Sequence, residues 1–451
     1  MKKRRVAAVT LGCKLNYAET AAILDSFVDD GWELSTVEKG ADLIIVHTCA
    51  VTGQAEQKSR QQIRKMIRRY PESRIAVIGC YAQLAAEKLS SIDGIALILG
   101  TQDKFSCSLY ANRCGHEGKE PFVKVSDVAH VRQVYSGHSL LSHPEKGRTR
   151  AFLKIQDGCG YGCSYCTIPK VRGPSRSVSA DLLLDTAGKI AEAGYREIVL
   201  TGVNIADYRD GTTGFARLLQ RLETVCVSRI RIGSVEPDLL DDELIEIVAG
   251  SEKIMPHFHL PLQSGSDAVL RAMGRHYDTK TYHARLMHVL QKIPCCGIGA
   301  DVMAGYPGET EQDFQDMYTF LEGLPVAYLH VFSCSVRPGT LLARQVAAKT
   351  RRIVPSPVAA ARARQLALLG EKKERQFASA CIGQEMSVLF EEIRMSGDGK
   401  KIHAIGYSPN YLRVSACVER QGDPEFLKGM ECRVRIEGIE EDLHLTGSLL
   451  F

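Results

Sequence analysis

The sequence lacks a long uncharged run. No stretch of eighteen or more residues is free of Asp, Glu, Lys and Arg, which excludes a membrane-spanning helix from the reading. It also lacks the core of a secretory leader. The basic start Lys2-Lys3-Arg4-Arg5 is followed only by Val6-Ala7-Ala8-Val9-Thr10-Leu11 before Gly12-Cys13, too short for such a leader, and reads instead as a first strand. Neither charge dominates, since a net +4 does not by itself claim nucleic acid. Cysteine, by contrast, is plentiful at fifteen. An odd count without a targeting signal favours a reducing, cytoplasmic setting with metal-binding or catalytic thiols. A length of 451 residues leaves room for two or three domains, each with its own core.

The most informative stretch is Cys159-Gly160-Tyr161-Gly162-Cys163-Ser164-Tyr165-Cys166, which follows the strand-like run Ala151 to Gln156. Three thiolates at this spacing can converge on one soft metal centre. A structural zinc takes four protein ligands. A cubane iron–sulfur cluster held by three keeps one iron open for a substrate or cofactor. The alternatives are a zinc site completed by a distant residue such as His143, or three unrelated buried thiols. The octapeptide resembles the C-x3-C-x-aromatic-C signature of the radical S-adenosylmethionine (SAM) enzymes. The resemblance implies a 4Fe-4S cluster on Cys159, Cys163 and Cys166 that binds SAM; Tyr165, just before the last cysteine, is placed to cover one side of what binds the open iron.

The first hundred residues repeat one pattern three times. Apolar strands at Val6–Thr10, Leu43–Val46 and Ile75–Ile78 each lead to a cysteine (Cys13, Cys49 or Cys80) and then to a helix, at Asn16 to Asp29, Thr52 to Arg69 and Ala82 to Leu89. Strand–turn–helix repeated in this way predicts a parallel sheet with helices on its faces, and places each cysteine at the carboxyl edge, where ligands bind. The three cysteines read either as a second three-thiolate cluster or as small fillers at strand ends. Thr10-Leu11-Gly12-Cys13-Lys14-Leu15-Asn16, Thr48-Cys49-Ala50-Val51-Thr52 and Ile78-Gly79-Cys80-Tyr81-Ala82 resemble the N-terminal domain of the methylthiotransferases. Within that family, LGCK-x-N and TC-x-VT are most similar to the branch acting on threonylcarbamoyladenosine in tRNA. The isopentenyladenosine branch tends toward GCQMN, and the ribosomal-protein branch toward a Pro-Lys-Asn run. The sequence departs from the family at His47, usually asparagine, and at Cys334, more often aromatic.

The strand–helix pattern and the resemblance together lead to the expectation of an α/β protein in five segments. The first three are an N-terminal parallel-sheet domain (1–104) holding the second cluster, a connector (105–147) and an incomplete (β/α)6 radical SAM barrel (148–345). A basic linker helix (346–379) and a small C-terminal TRAM-like β-barrel (380–451) follow. Barrel strands are expected at Ala151–Gln156, Glu197–Leu200, Arg229–Gly233, His257–Leu260, Ile298–Val302 and Tyr328–Phe332, with the active site at their carboxyl ends. Gly202, Asn204, Ser234, Glu236, Gln263 and Asp301 fall there and are candidates, with Tyr165, for contacting SAM; capping or supporting roles stay open for each. Cys107, Cys114, Cys295 and Cys296 read as incidental or packing thiols.

Two regions are candidates for RNA. Residues Lys58 to Arg74 carry seven Lys and Arg, including Arg60, Arg64 and Arg68, against the single acid Glu72. This is either a phosphate-contacting face or a solvated helix. From Ala380 onward, twelve acids oppose eight Lys and Arg, so RNA binding by the last domain needs a local face. Arg413, Arg433 and Arg435, with Tyr411 as a stacking surface, would supply it. Otherwise the barrel positions the other domains.

By resemblance, SAM cleavage gives a 5′-deoxyadenosyl radical, and a methylthio group replaces hydrogen at carbon 2 of the modified adenosine 3′ of the anticodon. The resemblance also implies two 4Fe-4S clusters, the tRNA anticodon stem-loop, a flavodoxin- or ferredoxin-like electron donor and a sulfur source as partners. A non-catalytic iron–sulfur carrier and a zinc-dependent RNA-binding protein are the alternatives from other classes.

Overall fold

The computed structural model describes residues 3–113, 120–138, 149–396, 401–419 and 424–450. Cys114, His143, Arg148 and the turn Gly397-Asp398-Gly399 lie outside the described residues.

The N-terminal unit is a six-stranded parallel sheet. Its strands are β1 (Arg5–Thr10), β2 (Glu33–Leu34), β3 (Leu43–Thr48), β4 (Arg74–Gly79), β5 (Ile95–Leu99) and β6 (Phe122–Lys124), in the order β2-β1-β3-β4-β5-β6. β3 is buried on both faces, as a central parallel strand should be. Its alternate residues divide between two cores, Ile44 and Val46 in one and Leu43 and Ile45 in the other. Helices α1 (Lys14–Asp29), α2 (Gly53–Arg69) and α3 (Cys80–Ser90) follow β1, β3 and β4. The predicted strands and their common direction are present. The N-cap of α1 is Cys13 rather than Asn16. Asn16 lies inside the first turn, buried, where its amide donates to the carbonyls of Leu11 (2.8 Å) and Thr48 (3.2 Å).

Six parallel strands form the partial barrel: Arg150–Lys154, Glu197–Thr201, Arg229–Arg231, His257–His259, Gly297–Ala304 and Tyr328–Ser333. Single bridges at Ile230–Ile254 and Ser234–His259 join its two hydrogen-bonded halves. The segment expected as an unpatterned connector adds to both units. Phe122–Lys124 extends the first sheet, and Gly137–His138 pairs antiparallel with Arg150–Lys154.

The helix at Ser356–Ser379, expected as a basic linker, packs on the barrel strand Tyr328–Ser333. Arg362 is buried and donates to Glu309 (2.7 Å) and Glu311 (2.8 Å), and buried Lys373 donates to the carbonyls of Leu324 (2.6 Å) and Glu322 (3.2 Å). The chain ends in a closed five-stranded barrel whose fifth strand, Leu445–Leu449, was not apparent from sequence pattern. Every described cysteine is a free thiol. Cys107 and Cys296 are core residues, whereas Cys295, expected to pack, is exposed in a left-handed turn (φ 63°).

Candidate active site between two cysteine triads

The three N-terminal cysteines stand at the carboxyl edge of the sheet. Cys13 caps α1 and Cys80 opens α3, so the positive ends of two helices face the space that Cys49 completes. Gly12, with φ +101°, precedes the first cysteine, and a Cβ there would lie 2.8 Å from the Cβ of Cys49. Only glycine lets these two turns approach so closely.

The second triad lies in the loop after the first barrel strand. Gly162 takes φ +82° between its cysteines. Tyr306 holds this loop from the opposite side of the barrel, its hydroxyl lying 2.8 Å from Ser164 Oγ and from the Ala272 carbonyl oxygen. The N–H groups of Tyr161 and Ile168 donate to Cys159 and Cys166 Sγ, each at 3.4 Å, and Arg275 Nη1 donates to Cys163 Sγ at 3.2 Å.

Both triads open onto one cavity of about 410 Å³, so residues from three sequence-distant strand ends and the octapeptide loop come together. Tyr165, Gly202, Ser234, Glu236, Gln263 and Asp301 also line it. Asn204 does not: it is buried behind the wall, with its N–H bonded to Gln156 Oε1 (2.9 Å). Gln263 adopts φ 66°, and its buried Oε1 has no partner, leaving a polar atom without a hydrogen bond at the cavity wall. Glu236 forms a close ion pair with Arg275, yet burial pushes its carboxyl up to about 7. Asp301 is held well below the usual carboxylate range despite burial, by hydrogen bonds from His259 and His330.

The donor chemistry fits a cubane better than zinc. Neither triad brings its three Sγ atoms all within 4.8 Å of one another, among the described residues. Thiolates sharing one tetrahedral zinc at ~2.3 Å bonds would sit closer than that. Without metal, burial pushes Cys159 and Cys49 up to about 11 and Cys166 to about 12, so metal must displace their protons. The N–H and guanidinium groups at the second triad are already aimed at its sulfurs.

Behind the N-terminal triad lies a buried ionic network that periodicity did not reveal. Glu19 of α1 accepts from Lys104 (2.5 Å), Lys154 (2.7 Å) and Arg172 (3.1 Å), while Asp157 accepts from Lys154 (2.7 Å) and Arg172 (2.9 Å) and pairs with Arg176 (3.3 Å). Glu19 and Lys104 come from the first unit and the others from the barrel, so the network clamps the two together. Four cations face two carboxylates, an excess of two positive charges. Arg172 also lines the cavity and donates to Asn16 Oδ1 (2.9 Å), which directs this positive field at the cysteines. His47 belongs to the same network. Burial and Lys104 push it well below its ordinary value, so it is neutral; its Nδ1 bonds Thr20 Oγ1 (2.8 Å) and its Nε2 faces Lys104 Nζ (3.5 Å). The histidine is thus a supporting group behind Gly79 and not part of the cavity wall. Cys334 packs beside Met273 and Met303, and burial pushes its thiol up to about 12.

The expected RNA-binding residues fall into two sets. On α2, Lys58, Arg64, Lys65 and Arg68 are exposed with no carboxylate partner among the described residues. Arg60 is half-exposed but engaged, donating to Tyr81 Oη (3.2 Å) and pairing with Glu56 (3.8 Å). On the C-terminal barrel each arginine of the expected basic face has a carboxylate partner, though Arg433 and Arg435 share one and stay exposed. Arg413 bonds Glu392 (3.0 Å), and Arg433 and Arg435 both pair with Glu385. Tyr411 is no free stacking surface, because its ring is stacked on Tyr407 (4.9 Å) and covered by Arg231 (4.7 Å) in the cleft between barrel and N-terminal unit.

Comparison with known proteins accords with this geometry. Residues 153–321 match the radical SAM superfamily, and residues 5–100 match the Uncharacterized protein family UPF0004. The fold is shared with the radical S-adenosylmethionine methyltransferase TsrM from Kitasatospora setae, at TM-score 0.56 and 14% identity over 77% of this chain and 78% of that one. These define the class: a radical SAM enzyme, with the 4Fe-4S cluster and SAM that the superfamily implies. The threonylcarbamoyladenosine tRNA methylthiotransferase MtaB of Bacillus subtilis is 37% identical over 91% of this chain and 89% of its own length. That of Aquifex aeolicus is 33% identical over 87% and 94%. The chain belongs to the radical SAM methylthiotransferase family. Among the described residues, no helix is long and apolar enough to cross a membrane.

Proposed function

We propose that the protein adds a methylthio group to carbon 2 of N6-threonylcarbamoyladenosine beside the anticodon of tRNA. The observation that carries this reading is the single cavity walled by both cysteine triads. The octapeptide triad accounts for one cluster and SAM; a second triad walling the same cavity supports a sulfur-bearing centre within reach of the same substrate. The arrangement of Cys13, Cys49 and Cys80 on the opposite wall supports a second 4Fe-4S cluster there, next to where a substrate base would enter.

When bound, the cluster at Cys159, Cys163 and Cys166 together with SAM supplies a carbon radical able to take hydrogen from an unactivated C–H bond. The chain's own residues hold, orient and exclude. Arg275 steadies Cys163 and positions Glu236, whose carboxylate, with Asp301, offers acceptors for the SAM ammonium and hydroxyls. Gln263 Oε1, unpaired in the wall, is available as another acceptor. Gly202 leaves room, since a Cβ there would sit 2.8 Å from Ile205 Cγ2. Tyr165, in the cavity wall, would cover one side of what binds the cluster, and Arg172 would set positive charge beside the N-terminal thiolates. The exposed cations of α2, Arg64 and Arg68 among them, suit the phosphates of the anticodon stem-loop. The reaction draws on a flavodoxin- or ferredoxin-like electron donor and a sulfur source in the cytoplasm.

The test is nucleoside analysis of tRNA from cells lacking the protein. Loss of the 2-methylthio derivative of threonylcarbamoyladenosine, restored by wild type but not by Cys49→Ala, is the expected result. Loss of the isopentenyl derivative instead would reassign the substrate.

A further inference from the structure

A second cleft, of about 640 Å³, opens beside the cysteine cavity and shares Cys13, Leu15, Gly202 and Ser234 with it. Its far wall is aromatic, made of His257, Tyr328 and Tyr411, with His257 Nε2 and Tyr328 Oη 2.8 Å apart. Lys14 projects into this cleft from the residue after Cys13 and is exposed. Its ammonium lies 5.5 Å from the centroid of the Tyr411 ring.

The charges around Lys14 are already matched. Asp301 is engaged by His259 (3.0 Å) and His330 (3.3 Å). Glu391 accepts from Arg150 Nη2 (2.8 Å) and Thr149 (2.9 Å), and Glu197 from Arg231 (2.9 Å). Of the described basic side chains lining this cleft, His257, His259 and His330 each have a partner, and Lys14 has neither an ion pair nor a hydrogen bond. Tyr411 is fixed: it takes φ 73°, stacks on Tyr407 and carries Arg231 on its ring. A rigid ring that holds a flexible ammonium by cation–π attraction lowers the entropy lost when an anion binds.

We propose that Lys14, positioned by Tyr411, binds the carboxylate of an amino-acid substituent on the substrate base. The inference rests on the threonylcarbamoyladenosine reading and deepens it. In that base the substituent on N6 and the reacting carbon 2 lie on the same six-membered ring but apart. With carbon 2 turned toward the cysteines, the substituent needs a neighbouring space, and the cleft at Cys13 and Lys14 provides one with an unmatched cation. The aromatic wall accepts the flat carbamoyl group, and the carboxylate reaches the ammonium. A phosphate of the RNA backbone is the other anion that would satisfy Lys14.

The experiment compares three anticodon stem-loops, bearing threonylcarbamoyladenosine, its carboxyl methyl ester, or unmodified adenosine. Dissociation constants for these three, and turnover of the acid and of an isopentenyladenosine stem-loop, are measured on the anaerobically reconstituted full chain, as wild type, Lys14→Gln and Lys14→Arg, with iron content and circular dichroism as controls for folding. A charge-assisted contact predicts that wild type prefers the acid to the ester by about tenfold or more. Lys14→Gln should lose that preference and bind the ester as wild type does, while Lys14→Arg keeps part of it. Equal weakening on all three stem-loops would assign Lys14 to phosphate and overturn the proposal. So would wild-type turnover of the acid with Lys14→Gln still preferring it to the ester. Absence of wild-type turnover on the acid, with turnover of an isopentenyladenosine stem-loop, would overturn the substrate reading and this inference together.

Discussion

Replacing Glu19 by alanine removes the carboxylate at the centre of the network between the two units. Lys104, Lys154, Arg172 and Arg176 would then face Asp157 alone, all of them nine-tenths or more buried. Breaking a buried ion pair from one side costs about 3–5 kcal/mol, because the stranded charge stays out of water. At a urea slope of roughly 3 kcal/mol/M this moves the unfolding midpoint down by about 1 to 1.7 M. The chain offers a convenient probe, since its single tryptophan, Trp32, is buried against Phe27 in the N-terminal unit. Trp32 fluorescence follows that unit, while circular dichroism follows the whole chain. In Glu19→Ala the fluorescence transition should shift down and separate from the later one. The double change Glu19→Gln with Lys104→Met should recover part of the loss, because it removes a charge of each sign. A shift below about 0.3 M, or single and double variants that behave alike, would refute the claim that this network clamps the units.

Other consequences follow from the same geometry. Although burial opposes it, Arg172, Lys104 and Lys154 hold Glu19 well below the usual carboxylate range, so its contribution to stability is full above the unfolded value near pH ~4.3. That contribution is lost as pH falls further, and an acid titration of wild type against Glu19→Gln should converge only at low pH. Arg275→Met removes a donor to Cys163 Sγ and strands Glu236, so SAM affinity should fall by about tenfold or more in equilibrium binding, with the iron content retained. Tyr306→Phe deletes the hydroxyl shared by Ser164 and the Ala272 carbonyl and should lower the thermal midpoint by an amount matching about 1 kcal/mol. Arg64→Glu with Arg68→Glu should weaken tRNA binding and flatten its salt dependence by about two ions, without changing SAM cleavage.

Strands such as β3 and the barrel strand Gly297–Ala304 were legible because buried parallel strands are uninterrupted apolar runs, and the strand–helix alternation then dictates their common direction. That common direction is what puts Cys13, Cys49 and Cys80 on one edge of the sheet. Short edge strands such as Phe122–Lys124 and Gly137–His138 carry no periodicity of their own and are defined only by the neighbour they join. The ionic network was invisible for a different reason. Glu19 and Arg172 lie far apart in sequence, and a charged residue on a helix ordinarily reads as solvated until its partners are known. Tyr411 is a different case. An aromatic near arginines reads as an RNA platform, yet here Arg231 and Tyr407 enclose it in a cleft where it serves Lys14.

The central claim is that two separate three-thiolate centres face one cavity. Iron and acid-labile sulfide, measured on protein purified without oxygen, test it directly. Wild type should hold roughly eight irons and the triple variant Cys13→Ala/Cys49→Ala/Cys80→Ala about four, as two cubanes and one would require. About four irons in both proteins would leave the N-terminal cysteines as packing residues and contradict the account.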